Sequence, residues 1–169
     1  MARTRKVHAI QLLKQDHREV EMLFKEFEKL EEDGEEAVEQ VIATACTELK
    51  IHDKIETEIF YPAVREQAGE EEVEDLLNEA EVEHNTVRDL IKTIEGMSAG
   101  KMRNAHFTVL VEYVKHHVKE EEKEMFPKVK QLSLDLKALG SQMKERKTEL
   151  MAEMGIDAEA VEEQEDETA

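Results

Sequence analysis

Four stretches of this chain place an apolar residue at every third or fourth position, and each such row is interrupted by a histidine. The rows run Ile10, Leu13, His17, Val20, Phe24, Phe27; then Val38, Ala45, Leu49, His52, Glu56, Ile59; then Val73, Leu77, Ala80, His84, Val87, Ile91; and then Phe107, Leu110, Val114, His117, Glu121, Met125. A three-four period is the mark of a helix with one buried face. Breaks fall near Asp33-Gly34, near Ala68-Gly69 and from Gly96 to Gly100. The spacing therefore predicts helices over 7–32, 35–67, 70–96 and 101–131. Short connections between long helices make them antiparallel neighbours. The expected fold is all-α, an antiparallel up-down four-helix bundle over 7–131. A further amphipathic helix is expected over 132–155, carried by Leu136, Leu139, Met143, Leu150 and Met154. An acidic, disordered tail is expected over 156–169.

Composition narrows the function classes. Two prolines, six glycines and no tryptophan in 169 residues suit a helical protein. The net charge of −19 argues against nucleic acid or an anionic membrane as partner. Seven acids and no Lys or Arg lie in 157–169; removing those seven from −19 leaves −12. A solvating tail is the simplest reading of that segment. One cysteine, Cys46, excludes an internal disulfide and suits a reducing cytoplasm. No apolar run is long enough for a signal peptide or a membrane span. The expected location is cytoplasmic. Oligomeric state is not legible.

The polar residues in the apolar rows carry the chemistry. His52–Glu56 and His117–Glu121 are each four residues apart, so each pair shares one helix face. Each pair can offer an imidazole nitrogen and a carboxylate oxygen to one shared point. Each of the four histidines lies roughly 14–18 residues from an interhelical turn, about 21–27 Å at helical rise. In an up-down bundle this sets all four at one level. Burying six polar groups there is costly unless something pairs them. A pair of metal ions satisfies all six, so His17, His52, Glu56, His84, His117 and Glu121 are the candidate metal ligands.

An internal repeat supports the register. His52 is followed by Phe60-Tyr61-Pro62 and His117 by Met125-Phe126-Pro127, at the same offsets. Two helical hairpins related by a pseudo-twofold axis are expected, with each proline kinking or ending its helix. Aligning the prolines selects His117 over His116, whose spacing to Glu120 is also four. His116, His8 and His106 are read as structural or exposed. The donor set is not that of structural zinc, which favours thiolates or one closed tetrahedron. Ferritin-like sites use Glu-x-x-His at three-residue spacing instead.

Asp-His17, His52-x-x-x-Glu56 with Phe-Tyr-Pro, Glu-His84, and His117-x-x-x-Glu121 with Phe-Pro together resemble the hemerythrin-like family of HHE cation-binding domains over about 8–130. The resemblance implies a four-helix bundle around two non-haem iron ions, oxo- or hydroxo-bridged, with Glu56 and Glu121 as bridging carboxylates. It departs from the oxygen-carrying hemerythrins, which hold a His-x-x-x-His on the third helix. Here Arg88 stands four after His84 and Ala80 four before it. The fourth helix closes its motif with Glu121. Fewer ligands leave more exchangeable positions, which favours binding or turnover of oxygen, peroxide or nitric oxide over reversible oxygen carriage. The alternative is an iron- or oxygen-sensing module without turnover. One turn before each pair, Glu48 is a candidate acceptor for a histidine N–H and Tyr113 a candidate donor to a bound oxygen species. Seam-edge packing is the commoner role for both.

Overall fold

A computed structural model describes residues 7–30 and 35–156. Among these there are helices and no strand. The first helix, α1, is Ala9–Leu30, and α2 is Glu35–Ile55. A one-turn π segment, π1, covers Glu56–Phe60 and leads into α3, Tyr61–Gln67. Then come α4, Glu71–Gly96, and α5, Lys101–Glu120. A second π segment, π2, covers Glu121–Met125 and passes into α6, Phe126–Val129. The last helix, α7, is Leu136–Glu153. The expected break at Asp33-Gly34 and the acidic tail from 157 lie outside the described residues. No described helix is long and apolar enough to cross a membrane.

The prolines neither end nor interrupt the helical path, contrary to expectation. Each follows a π segment as the second residue of the next helix. The π turns bond Tyr61 N–H to the Glu56 carbonyl and Phe126 N–H to the Glu121 carbonyl, five residues back. The wider turn absorbs the misfit that a proline imposes on a tight helix. It also brings residues five apart onto one face, which a regular helix does not.

The apolar interior falls into two clusters on either side of the histidine level. Phe24, Phe27, Ile42, Ile94, Phe107 and Leu110 belong to one. Ile10, Leu13, Ile55, Phe60, Leu77 and Phe126 belong to the other. The second cluster is completed by α7, whose Leu139, Met143, Leu150 and Met151 are buried. This helix therefore lies along α1 and α2 and closes that cluster from the side. Each fully buried side chain of that size contributes roughly 1.5–3 kcal/mol. Asp135 starts α7 by accepting a hydrogen bond from Ala138 N–H at 3.0 Å.

Close approach of α7 needs a glycine. A Cβ on Gly140 would overlap the Val7 carbonyl oxygen and crowd Ala9 N, both backbone atoms. Gly140→Val should therefore lift α7 off the start of α1 and cost about 1–3 kcal/mol of stability. Thermal melting checks the loss, and limited proteolysis should show α7 cut first.

Candidate metal centre

The six predicted residues meet at one level of the bundle. His17 comes from α1, His52 from α2, His84 from α4 and His117 from α5, while Glu56 and Glu121 open the two π segments. Two triads form: His17, His52 and Glu121 in one, Glu56, His84 and His117 in the other. The ligand atoms within each triad lie within 4.8 Å of one another. The grouping differs from the simple sequence picture. Each glutamate joins the histidines of the other hairpin instead of serving only the histidine four residues before it.

Distances show why. Glu56 Oε1 lies 2.7 Å from His52 Nε2 and 3.6 Å from His84 Nε2. Glu121 Oε1 lies 3.2 Å from His17 Nε2, and its Oε2 lies 3.4 Å from His117 Nε2. Each carboxylate thus touches both triads. The i,i+4 spacing supplies one contact, and the antiparallel packing of the hairpins supplies the other.

Three of the four rings are aimed by carboxylates. His52 Nδ1–H donates to Asp16 Oδ2 at 3.0 Å, and His84 Nδ1–H donates to Asp53 Oδ1 at 2.6 Å. His117 Nδ1–H donates to Glu83 Oε2 at 2.5 Å. Each of these acids is the chain neighbour of a ligand histidine, and each holds the ring on the next helix. Asp16 reaches from α1 to α2, Asp53 from α2 to α4, and Glu83 from α4 to α5. The series stops at His17, whose Nδ1 is buried without a hydrogen bond and lies 3.9 Å from Glu122 Oε1.

This arrangement tests whether a metal fits. With Nδ1–H committed to carboxylates, a neutral imidazole presents a bare lone pair at Nε2. His17 Nε2 and His52 Nε2 lie 3.2 Å apart, where the His17 ring, its Nδ1 uncommitted, is free to carry a proton at Nε2. His84 Nε2 and His117 Nε2, both with Nδ1–H committed, nevertheless also approach to 3.2 Å. Two facing lone pairs repel unless a cation lies between them. Both oxygens of Glu56 and Oε1 of Glu121 are also sealed from water without a well-formed hydrogen bond. Orphaned carboxylate oxygens and converging imidazole nitrogens are what a pair of cations would satisfy.

The electrostatics agree. Burial alone would lower the His117 pKa, but the Glu121 and Glu83 carboxylates outweigh it and push the value up to about 10. Burial also opposes the charge on His52, yet Glu56 and Asp16 raise it well above the usual range. Glu121 is held well below the usual carboxylate range: burial raises it, and the hydrogen bonds from His117 and His17 more than reverse that. In the metal-free state protons take the place that cations would hold.

The outer carboxylates are themselves held. Asp53 forms a two-pronged pair with Arg88, at 2.8 and 2.7 Å. Arg88, one turn after His84, thus serves the ring of His84 through Asp53. Asp16, nearly sealed, accepts from Lys147 Nζ of α7 at 2.7 Å.

Two minor candidates are corrected. Glu48 is not the acceptor on His52; Asp16 is. Glu48 lines a small cleft with Glu19, Lys147 and Met151, where burial and Glu19 push its pKa up to about 7. Tyr113 is 47 % exposed and takes no part. The tyrosine at the site is Tyr61, whose hydroxyl donates to Glu121 Oε2 and lies 3.1 Å from His84 Nε2. Tyr61 reaches the site because π1 sets it on the same face as Glu56, five residues earlier. Its counterpart in the repeat is Phe126, which stacks on His17 with rings 4° from parallel. His116 is 61 % exposed and touches Glu120 at 3.2 Å; with Glu83 and Glu120 it forms a third, more exposed group outside both buried triads. His106 bonds the Met102 carbonyl, and His8 lies half-buried away from the cluster.

The hemerythrin HHE cation binding domain matches residues 8–129. The chain belongs to that family. No match was found among curated proteins or among solved structures. The hemerythrin match ends before α7, so Lys147 supports the centre from outside the family's own extent. The two buried His/Glu triads give this hemerythrin domain a site suited to two metal ions.

Lys147→Met should therefore release Asp16 and weaken metal at the His17–His52–Glu121 triad by about tenfold or more, sparing the other triad. Arg88→Met should do the reverse. Chelator competition that resolves two equivalents reads both. A pH dependence follows as well. His52 and His117 have raised pKa values in the metal-free fold, so at neutral pH they carry protons that a metal must displace. Metal affinity should rise as pH rises from neutral toward about 10, where His117 gives up its proton, with protons released into a weak buffer. Stability of the metal-free fold runs the other way. The His117 contribution is fully present below about 6.5 and is lost as pH rises through about 10.

Proposed function

We propose that this hemerythrin-family chain holds two non-haem iron ions and binds or reacts with oxygen, peroxide or nitric oxide in the cytoplasm. The observation that carries the reading is the placement of Glu56 and Glu121, each in contact with histidines of both triads. Carboxylates in that position suit a bridged pair of ions whose spacing must survive a change of valence. Four histidines and two glutamates, mixed nitrogen and oxygen donors without thiolate, suit iron better than structural zinc. Three protein ligands per ion leave room for a small ligand. The pair of irons, when bound, would supply Lewis acidity and electrons.

The protein's own groups give that chemistry a direction. Tyr61 places a hydroxyl beside His84 and His117, while Phe126 places only a ring edge and face beside His17. One side of the centre therefore has a hydrogen-bond donor and the other does not. Tyr61 is poised to hold its proton at Oη: burial first, and then Glu121 and Glu56, push the phenol well above its usual range. A ligand that accepts a hydrogen bond on that side would draw the Tyr61 proton away from Glu121, to which it is donated. The sensing alternative, without turnover, draws support from the link of α7 to Asp16, since filling the site could alter how α7 packs.

Two experiments test this. Protein purified without added metal should contain two irons per chain and show near-ultraviolet charge-transfer bands that change on adding peroxide or nitric oxide. Stoichiometric iron with no change for peroxide, nitric oxide or oxygen would sink the reactive reading. His117→Ala should lose metal at the second triad while His116→Ala keeps both ions; the opposite outcome would overturn the register of α5.

A further inference from the structure

Two cavities open on the histidine level from opposite sides of the bundle. One, of about 390 Å³, runs along the seam between α2 and α4, with all four ligand histidines on its floor. The other, of about 290 Å³, enters between α1 and α5. His17, Val20, Val114 and Val118 border both. The first is far larger than a diatomic ligand or peroxide requires, since a water in the liquid takes about 30 Å³. Pockets of this size are the range of organic ligands.

Its shape and lining are specific. Above the histidines the walls are apolar, with Leu49, Val87, Ile91 and Val114. The lining on α4 extends from Glu83 to Glu95, about 18 Å at helical rise, and on α2 from Leu49 to Lys54. The cavity is thus a long slot with the histidines at one end. An ion pair between Lys50 of α2 and Glu95 of α4 crosses the seam at the other end. Lys92 borders the same end and forms no ion pair among the described residues. Arg88, also on the lining, is committed to Asp53. In a chain of net charge −19, an apolar slot edged by lysines selects an anionic head with a hydrocarbon body.

We propose that the α2–α4 slot binds an unbranched aliphatic monocarboxylate. Its hydrocarbon chain lies along Leu49, Val87 and Ile91, pointing toward the histidines. Its carboxylate meets Lys50 and Lys92 at the outer end. Admission requires Lys50 to exchange Glu95 for the ligand, and an exposed ion pair gives little resistance to that exchange. This inference is independent of the iron reading, because the slot and its lysines are built by the apolar seam and the rim charges.

Calorimetric titration of the full-length protein with hexanoate, octanoate and decanoate tests it, both metal-loaded and metal-free. Affinity should tighten about fourfold for each added methylene, with a negative heat-capacity change. Lys50→Met with Lys92→Met should weaken octanoate about tenfold or more and leave octanol unchanged. Ile91→Phe should weaken decanoate more than hexanoate while metal content stays the same. A flat chain-length series would show that the hydrocarbon does not enter, and would overturn the proposal. So would octanoate binding that needs the metals and ignores both lysine changes, because the carboxylate would then sit at the centre. Equal weakening of octanol and octanoate by the lysine changes would also overturn the assignment of the head group.

Discussion

The structure is organised by the cost of placing charge in an apolar bundle. Six ligand-type side chains and three further carboxylates sit between two hydrophobic clusters. A buried polar group without a partner costs about 1–3 kcal/mol, and an unpaired buried charge costs more. The bundle meets this cost with a relay of carboxylate–histidine bonds that passes from α1 to α2, from α2 to α4, and from α4 to α5. Each link fixes a ring and ties two helices at one height. The same bonds that aim the Nε2 atoms inward therefore also set the register of the helices.

The relay is open between α5 and α1. There the Nδ1 of His17 lacks a hydrogen-bonded carboxylate, and the ring stacks on Phe126. The second cavity enters at that seam. The first enters between α2 and α4, where the helices are held by polar links at Asp53 and at Lys50–Glu95 rather than by continuous apolar packing. The tightly packed pairs are α1 with α2 and α4 with α5, the two hairpins of the internal repeat. The centre lies where the hairpins meet, so access and ligand sharing have one cause.

The two halves are similar but not equivalent. Each begins a π turn at its glutamate and follows it with a proline. The π turn brings an aromatic residue five positions later onto the ligand face. In one half that residue is Tyr61 and in the other Phe126, so a single oxygen atom distinguishes the two sides of the centre. Their outer supports differ too. Arg88 holds Asp53 from inside the family's extent, and Lys147 holds Asp16 from the appended helix.

The sequence alone determined the helices, their order, and the six residues that converge. Helical periodicity and the equal distance of each histidine from its turns are local properties, and local properties survive into the fold. The doubled proline signature chose His117 over His116 for the same reason. Tertiary structure decided what depends on direction across helices. Spacing along one helix suggested that each glutamate serves its own histidine, whereas antiparallel packing also sets each against the other hairpin. Asp16, Asp53 and Glu83 were visible only as neighbours of ligands, because the rings they hold lie on other helices. Tyr61 lay in the Phe-Tyr-Pro signature, but a regular helix would turn it away from Glu56, and only the π turn reverses that. Tyr113 and Glu48 sit at the expected offsets and still miss the centre, since an offset within one helix says nothing about what the neighbouring helix already supplies.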